Sequence, residues 1–441
     1  MQDTQQLTAP ADESALFSKI SRRLLPFLFI LYVASYLARV NVGFAGLSMK
    51  RDLEPHGLTA EKFGLGLGLF FIGYLLLEIP SNLILEKVGA RKWIARIMFT
   101  WGLVAMAMAL VRGPLSFYTM RVLLGVAEAG FFPGVILYLT YWYPPSRRAR
   151  AVATFMTATA VSLVGGALIS ALILRLDGFH GLHGWQWLFI LEGMPSVLLS
   201  VFVLFLLPDG PAKAAWMSDA DRAVLEGAFA REQAVARHHV GDLFKALTHA
   251  RVWLLTGVYF MIALGMYCVG LWLPLLLAGA WPGHKDTTYT LLSAIPYAVA
   301  AIGMVFIAHS SDRTGDRRWH TALCLFGAAV GAGGAAASNS LHQPALTLAT
   351  FSLVALGIWG AIGPFWAMPG AFLAGTGAAG GIALINSVGN LGGFLGPYII
   401  GYVKQHTGSF TAGLWILAGF LTVGGALAST IRLPASQTRG S

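Results

Sequence analysis

Two charged residues lie inside one long apolar stretch of this sequence. Arg121 and Glu128 are seven positions apart within the run from about 116 to 141. On an α-helix this spacing is close to two turns, so both side chains leave the same face, about 10 Å apart along the axis. A charge at the depth of a lipid bilayer costs at least about 2.5 kcal/mol, and such residues face a bundle interior or a water-filled cavity. The pair therefore indicates an ion or substrate path, with an ion pair that only locks helices together as the alternative.

A second arginine extends this pattern. Arg39 lies about 16 residues into the first apolar run, and Tyr36 precedes it by one turn on the same face. The planar guanidinium group of arginine pairs bidentately with a carboxylate and stays charged at any working pH. A buried glutamate such as Glu128 can gain or lose a proton as its surroundings change. These residues extend the candidate ion or substrate path to the first helix, unless Arg39 extends its side chain to the far membrane surface.

The composition is typical of a membrane protein. The chain has 441 residues, of which 56% are apolar and 11% are charged, and its mean hydropathy is +0.67. A soluble protein would carry about a quarter charged residues. The net charge of +10 does not indicate nucleic-acid binding, because the basic residues concentrate in short loops on one side, as expected for a cytoplasmic face. Cys268 and Cys324 both fall in predicted spans, so neither a disulfide framework nor a metal site is expected.

Apolar runs of about 20 residues predict an all-α polytopic membrane protein with 12 transmembrane helices in two six-helix bundles. Residues 1–20 are expected to form a cytoplasmic tail without a cleavable signal peptide, followed by an N-terminal bundle over 21–207. A cytoplasmic linker with a surface helix is expected over 208–248, then a C-terminal bundle over 249–431 and a second cytoplasmic tail over 432–441. The spans are predicted at about 24–47, 63–85, 93–111, 116–141, 151–174, 187–207, 252–277, 291–310, 321–337, 346–373, 378–403 and 411–430.

The two halves of the chain carry the same loop pattern. Glu86-Lys-Val-Gly-Ala-Arg-Lys92 follows the second predicted span, and Asp312-Arg-Thr-Gly-Asp-Arg-Arg318 follows the eighth. The offset between the two acidic residues, 312 − 86 = 226, is about half the chain. Two bundles related by a parallel repeat are a known transporter plan, with the substrate site near the membrane midplane between the halves. The sequence therefore predicts its polar site at that interface.

Further polar and aromatic residues fall within the predicted spans. Glu78 lies one turn after Tyr74 and fits either a gate or a proton site. Asn386 and Asn390 lie in the glycine-rich eleventh span. Most aromatic residues inside membrane helices only pack against their neighbours, but the prolines that interrupt the tenth span favour a role for Trp366 in a site.

These motifs resemble the major facilitator superfamily and, more narrowly, its anion:cation symporter family, in the branch of bacterial tartrate, phthalate and hydroxyphenylacetate permeases. The resemblance covers roughly residues 20–430. Each loop motif lacks the usual glycine four residues before the acid, where Asn82 and Ala308 stand. The other matching stretches are Tyr36-Leu-Ala-Arg-Val-Asn-Val-Gly-Phe-Ala45, Glu78-Ile-Pro-Ser-Asn82, Gly125-Val-Ala-Glu-Ala-Gly130 with Pro133, Trp185-Gln-Trp-Leu-Phe-Ile-Leu-Glu-Gly193, Phe365-Trp-Ala-Met-Pro369 and Ala383-Leu-Ile-Asn-Ser-Val-Gly-Asn-Leu-Gly-Gly393.

The resemblance implies proton-coupled transport of organic anions. Arg39 and Arg121 would hold a substrate carboxylate, and Glu128 would carry the proton. The cavity would be lined by Tyr36, Tyr74, Trp366, Asn386 and Asn390. The gating and structural loop residues would be Glu86, Arg91, Asp312, Arg313 and Arg317. Family members commonly carry an acid just before the arginine of the first helix, but this chain has Ala38 there. Coupling would then depend on Glu128 alone or be altered, or Ala38 would be a substitution that traps one state.

The resulting prediction is a proton-coupled symporter that imports an organic carboxylate by alternating access. A tartrate-like acid, a sugar acid and an aromatic acid all fit as the substrate. The alternatives are an anion exchanger or uniporter without proton coupling, and a membrane sensor that binds an anion without moving it. The chain carries neither an H-E-x-x-H metal helix nor a G-x-S-x-G elbow, so no enzyme activity, metal or cofactor is expected. We expect a monomer in the inner (plasma) membrane with both termini in the cytoplasm, and the anion, the proton and the lipid bilayer as partners.

Overall fold

The structure is a computed structural model that describes residues 10–236, 249–340, 343–371 and 375–432. Parts of the predicted tails and linker (1–9, 237–248 and 433–441) lie outside these residues. Every regular element among the described residues is helical. The α-helices are α1 (Pro10–Leu53), α2 (Ala60–Val88), α3 (Ala90–Ala107), α4 (Pro114–Glu128), α5 (Phe131–Thr140), α6 (Pro145–Met156), α7 (Ala158–Ile173), α8 (Gly184–Leu206), α9 (Asp219–Ala236), α10 (Ala250–Ala280), α11 (Asp286–Leu292), α12 (Ala294–Thr314), α13 (Arg317–Ser340), α14 (Pro344–Ala367), α15 (Gly375–Gly389), α16 (Gly392–Thr407) and α17 (Thr411–Thr430).

Most of these helices are long and apolar enough to cross a membrane. Among the described residues, 11 candidate spans have the required length and composition. They correspond to all the predicted spans except the one over 378–403. The structure forms this span, like those over 116–141 and 151–174, from two successive helices. Helix α15 ends at Gly389 and α16 begins at Gly392, and the glycines at this break disfavour a continuous helix. The prediction of a polytopic helical membrane protein is confirmed.

The helices of the two halves pack in the same pattern. In the first half α2 packs on α4 and α3 packs on α8, while in the second half α12 packs on α14 and α13 packs on α17. Both repeated loops also place a glycine with a positive φ at the same position, because Gly89 and Gly315, which are 226 positions apart (315 − 89), have φ angles of 95° and 71°, but their ψ angles of 147° and −3° differ. Glycine adopts such positive angles without steric strain. The repeat in the loop sequences therefore extends to the packing of the helices around them.

Close backbone contacts hold the two halves together at one end. Helix α2 packs on α16, where a Cβ atom on Gly64 would lie 2.5 Å from the carbonyl oxygen of Pro397. Small residues allow membrane helices to approach this closely. At the same end, Arg51 of α1 pairs with Asp286 of α11 at 3.0 Å. The halves are therefore closed on the side of the molecule where α1 ends.

The first helix begins earlier than the sequence predicted. It starts at Pro10, inside the segment expected to be a tail. Phe17 is only 4% exposed and its ring stacks on Tyr143, and Lys19 pairs with Asp221 of the linker helix α9 at 2.7 Å. The charged residues of this segment concealed a helical spacing of apolar residues that continues into the first span.

Candidate functional site

A cavity lies between the two halves, with a volume of about 570 Å³ that includes open solvent at its mouth. Its walls come from α1, α2, α5, α6 and α7 of the first half and from α10, α14 and α15 of the second. The lining residues are Tyr32, Tyr36, Arg39, Tyr74, Phe132, Met156, Thr159, Tyr259, Met266, Tyr267, Ile362, Trp366, Asn386 and Asn390. The structure thus brings together six residues that the sequence predicted for one site: Tyr36, Arg39, Tyr74, Trp366, Asn386 and Asn390.

The charged centre of the site is an ion pair between Arg39 and Glu128. Arg39 Nη2 lies 2.5 Å from Glu128 Oε1 and Arg39 Nε lies 3.1 Å from the same oxygen. Ser35 Oγ also donates to it, at 3.0 Å. Glu128 is fully buried, whereas Arg39 is 9% exposed and faces the cavity. Among the described residues Glu128 Oε2 has no hydrogen-bond partner, so one oxygen of this carboxylate is committed to Arg39 and the other is available.

The local sequence explains how Glu128 reaches this position. Helix α4 ends at Glu128, and Gly130, with a φ of 85°, turns the chain into α5. Ser35 and Arg39 are one helical turn apart on α1, so both face the same carboxylate. The end of one helix and one face of another therefore meet at a single acid.

A glycine contact brings α4 against α2 next to this pair. A Cβ atom on Gly125 would lie 2.0 Å from the carbonyl oxygen of Phe70, and one on Gly73 would lie 2.4 Å from the carbonyl oxygen of Val122. Distances this short exclude any side chain at either position without movement of the backbone. The two glycines thus set the separation of the helices that carry Tyr74 and Glu128.

Arg39 also joins the two halves of the molecule. Its Nη1 donates to the phenol oxygen of Tyr267 on α10 at 3.2 Å. Its guanidinium carbon lies 5.3 Å from the ring centres of Phe70 and Tyr74, within the range of cation–π attraction. One arginine therefore contacts the buried acid of the first half, an aromatic wall and a side chain of the second half.

Arg121 lies outside the cavity lining, unlike the other arginine predicted to bind substrate. It is 1% exposed, and its Nε and Nη2 donate to the carbonyl oxygens of Gly66 and Leu67 on α2 at 3.4 and 3.3 Å. Glu128 takes Arg39 rather than Arg121 as its ion-pair partner. The spacing within α4 was therefore a poor guide to the partner of Glu128, because the Nε and Nη2 groups of Arg121 bond to the backbone of α2 instead.

A second buried acid lies behind another part of the cavity wall. Glu78 is 5% exposed and follows Tyr74 by one turn on α2. Its Oε1 accepts a hydrogen bond from Asn386 Nδ2 and its Oε2 accepts one from Ser387 Oγ, both at 3.1 Å. Asn386 Oδ1 in turn accepts one from Asn390 Nδ2 at 3.3 Å. These bonds join α2 to α15 and set Asn386 between the cavity and the Glu78 carboxylate.

Eight of the lining residues were not among the predicted site residues: Tyr32, Phe132, Met156, Thr159, Tyr259, Met266, Tyr267 and Ile362. Helical spacing could have found Tyr32, because it precedes Tyr36 by one turn on the face that carries Arg39. In the same way Tyr259 and Tyr267 share one face of α10. Trp366 meets Tyr259 edge to face at 4.9 Å, but spacing along one helix does not reveal a contact between two helices.

The predicted loop residues lie apart from the cavity. Arg317 Nη1 pairs with Asp312 inside its own loop. The backbone N–H of Arg91 donates to Asp209 Oδ1 at 3.1 Å, which fastens the first loop to the start of the linker. The remaining two loop residues are exposed: Glu86 and Arg313.

A cavity shared by two repeated bundles of membrane-spanning helices is the arrangement of a multi-pass membrane transporter rather than an enzyme. Residues 28–397 match the profile of the Major Facilitator Superfamily. The chain belongs to this superfamily, which confirms the resemblance carried by the sequence motifs.

Similar proteins agree with this class. A protein of Agrobacterium vitis named "Putative tartrate transporter" is 45% identical over 428 residues that cover 97% of each chain. The "Quinolone resistance transporter" of Acinetobacter baumannii is 43% identical, over 92% of each chain. A D-xylose–proton symporter structure has a TM-score of 0.71 at 16% identity, covering 94% of this chain and 98% of that one. A bacterial homologue of the human lysosomal transporter Spinster has a TM-score of 0.73 at 17% identity, covering 92% and 95%. At these identities the two solved structures bear on the fold alone.

Proposed function

We propose that this protein is a proton-coupled symporter that imports an organic carboxylate by alternating access. The observation that carries the proposal is the ion pair between Arg39 and Glu128 at the cavity wall. A substrate carboxylate can reach Arg39 from the cavity, while Glu128 holds the same guanidinium group from the buried side. A relative named for the transport of tartrate supports a small-molecule cargo of this kind.

Substrate and Glu128 compete for the same donors of Arg39. Nε and Nη2 both point at Glu128 Oε1, and these are donors with which arginine can form a bidentate pair with a carboxylate. When a substrate carboxylate takes them, Glu128 is left buried without its counter-charge, which is strongly unfavourable. A proton on Glu128 removes that charge, and Oε2 is available to carry it. Substrate and proton therefore bind together.

Contacts between the halves couple this exchange to movement. Arg39 bonds to Tyr267 across the interface, so a substrate that draws Arg39 toward itself alters the contact between α1 and α10. With both termini in the cytoplasm, the end closed by Arg51 and Asp286 would face the outside of the cell. Rocking one half against the other would open this end and close the opposite one.

We assign Arg121 a positioning role beside the pair. Its bonds to the carbonyl groups of Gly66 and Leu67 fix α4 against α2, and α4 carries Glu128 at its end. A direct contact of Arg121 with substrate would require it to leave these carbonyl groups in another conformation. Arg39 is therefore the primary ligand for the carboxylate.

The substitution Glu128→Gln tests the proton site in proteoliposomes. Glutamine keeps the size of the side chain but cannot carry the transported proton, so a pH gradient should no longer drive accumulation while counterflow exchange of substrate continues. Glu192→Gln is the matched control, because Glu192 is also buried, accepts a hydrogen bond from Ser170 at 2.7 Å and lies outside the cavity lining. If folded Glu128→Gln protein loses exchange as well as accumulation, Glu128 has a structural role and the proposed coupling is wrong.

An exchanger or uniporter without proton coupling is the second candidate, and Ala38 favours it. This residue is 1% exposed and cannot supply the acid that family members commonly carry beside the arginine of the first helix. Uptake that ignores an imposed pH gradient would support this candidate. A non-transporting anion sensor, the third, would bind the anion without either uptake or counterflow.

A further inference from the structure

The formal charges around the cavity leave room for one substrate carboxylate. Among the described residues that line the cavity, Arg39 is the one with a formal charge. Glu128 balances that charge when the cavity is empty. One substrate carboxylate together with one proton on Glu128 therefore keeps the loaded site neutral, whereas a second carboxylate would add a negative charge without a counter-charge.

Behind the part of the cavity wall next to Arg39 lies an acidic residue, Glu78, rather than a basic one. The ring of Tyr74 lies under the Arg39 guanidinium group at 5.3 Å, and Glu78 lies one turn, about 6 Å, further along the same helix. Its carboxylate lies directly behind Asn386, to which it is hydrogen-bonded at 3.1 Å. A short diacid bound to Arg39 at one end and extended along α2 would bring its other carboxylate toward Glu78. Juxtaposed like charges at a binding site cost several kcal/mol.

The same wall suits hydroxyl groups. Asn386 uses Nδ2 for Glu78 and accepts from Asn390 through Oδ1, so its amide is already oriented. A carboxylate group has about four acceptor positions, and Asn386 and Ser387 occupy two of those of Glu78, so a donor near the wall can still bond to it. Tyrosine and threonine hydroxyls both donate and accept, and those lining the cavity are Tyr32, Tyr36, Tyr74, Tyr259, Tyr267 and Thr159.

We propose that the cavity selects hydroxylated monocarboxylates and discriminates against dicarboxylates, with the carboxylate on Arg39 and the hydroxylated end toward Asn386 and Glu78. This inference rests on the proposed function and names the substrate class of the same site. Sugar acids and hydroxylated aromatic acids belong to that class. Tartrate, the cargo in the name of a 45% identical relative, does not belong to it while both its carboxyl groups are ionised.

Threonate and tartrate form a matched pair for the test. Both have four carbons and hydroxyl groups on the central carbons, but threonate ends in a hydroxymethyl group where tartrate has a second carboxylate. Binding is measured with the purified full chain at about pH 8, where both acids are fully ionised, and threitol serves as the analogue without a carboxylate. We expect threonate to bind at least about tenfold more tightly than tartrate and threitol not to bind. As the pH falls and tartrate becomes a monoanion, its affinity should rise relative to that of threonate.

Two variants separate charge from hydrogen bonding. Glu78→Gln removes the opposing charge and should improve tartrate binding about tenfold relative to threonate. Ser387→Ala removes one donor to Glu78 and keeps the charge, so it should preserve the preference for threonate. Wild-type protein that binds tartrate as tightly as threonate at about pH 8 would overturn the inference, and the proposed function would survive if Arg39→Ala abolishes that binding. If threonate binding survives Arg39→Ala, the proposed function is wrong as well.

Discussion

Removing one oxygen atom from Tyr267 should weaken the contact through which Arg39 joins the two halves. Tyr267 is 4% exposed, and its ring meets Phe71 edge to face at 4.4 Å, so phenylalanine can keep the packing. The hydroxyl group accepts from Arg39 Nη1 at 3.2 Å. A hydrogen bond to a charged group contributes about 1.5–3 kcal/mol, and because the donor lies beside a cavity that water can enter, we take the lower value. About 1.5 kcal/mol is roughly a tenfold change in the ratio of closed to open molecules.

The population of the closed conformation can be measured with two spin labels at the end of the molecule that is closed. Arg112, before α4, and Lys285, before α11, are exposed and belong to different halves. Cysteines at these positions, with the native cysteines replaced, allow the distance between the labels to be measured by pulsed electron paramagnetic resonance. Tyr267→Phe should raise the ratio of long to short distances roughly tenfold over that of the otherwise unchanged protein.

Tyr297→Phe provides the matched control. Tyr297 is also buried, and its hydroxyl group donates to the carbonyl oxygen of Gly270 at 3.4 Å. Both residues lie in the second half, on α12 and α10, so this bond does not join the halves. The distance distribution should therefore stay unchanged in Tyr297→Phe. An unchanged distribution in Tyr267→Phe, or an equal shift in both variants, would refute the assignment of Arg39 and Tyr267 as a link between the halves.

Three further predictions follow from packing, surface charge and transported charge. Gly125→Ala should lower the free energy of unfolding by about 1–3 kcal/mol and lower the unfolding temperature in detergent, because its Cβ would lie 2.0 Å from the carbonyl oxygen of Phe70. Gly165→Ala should leave the unfolding temperature unchanged, because nothing lies within 4 Å of its Cβ. The hydrogen bond from Lys19 lowers the pKa of Asp221, so it should stabilise the contact between α1 and α9 by at most about 1 kcal/mol. This stabilisation should be present above the unfolded pKa of about 3.9 and be lost as the pH falls through the lower folded pKa. Asp221→Asn should speed hydrogen exchange in α9 at neutral pH and remove this dependence on pH. Accumulation of a monocarboxylate in proteoliposomes should respond to a pH gradient but not to an imposed potassium diffusion potential, and a response of both kinds would show that net charge moves with the substrate.

The helices could be predicted from the sequence because the bilayer sets their length. Apolar runs of about 20 residues mark the spans whatever their neighbours are, and the repeated loops reveal the two halves. The break after Gly389 and the start of α1 at Pro10 were missed for local reasons. Glycines interrupt the first, and charged residues between apolar positions disguise the second.

The candidate site was predictable only as far as contacts within one helix extend. Tyr36 and Arg39 lie on one face of α1 and both line the cavity. The partners of Arg39 come from elsewhere, since Glu128 is 89 positions away and Tyr267 is 228 positions away. The position of Arg121 depends on how closely the backbone of α2 approaches α4, which a single sequence does not state.

If the proposed proton coupling holds, the alanine at position 38 limits how many protons can accompany a substrate at Arg39. Ala38 is buried and carries no titratable group, so Glu128 is the acid that Arg39 holds and the site that can take up a proton as Arg39 is released. One proton with one monocarboxylate moves no net charge. One proton with a dicarboxylate moves a negative charge, which an inside-negative potential opposes by about 2.3 kcal/mol per 100 mV. The position of Glu78 behind Asn386 disfavours the same second carboxylate at the binding step. The absence of an acid at position 38 and the presence of Glu78 on α2 therefore both favour a substrate with one negative charge.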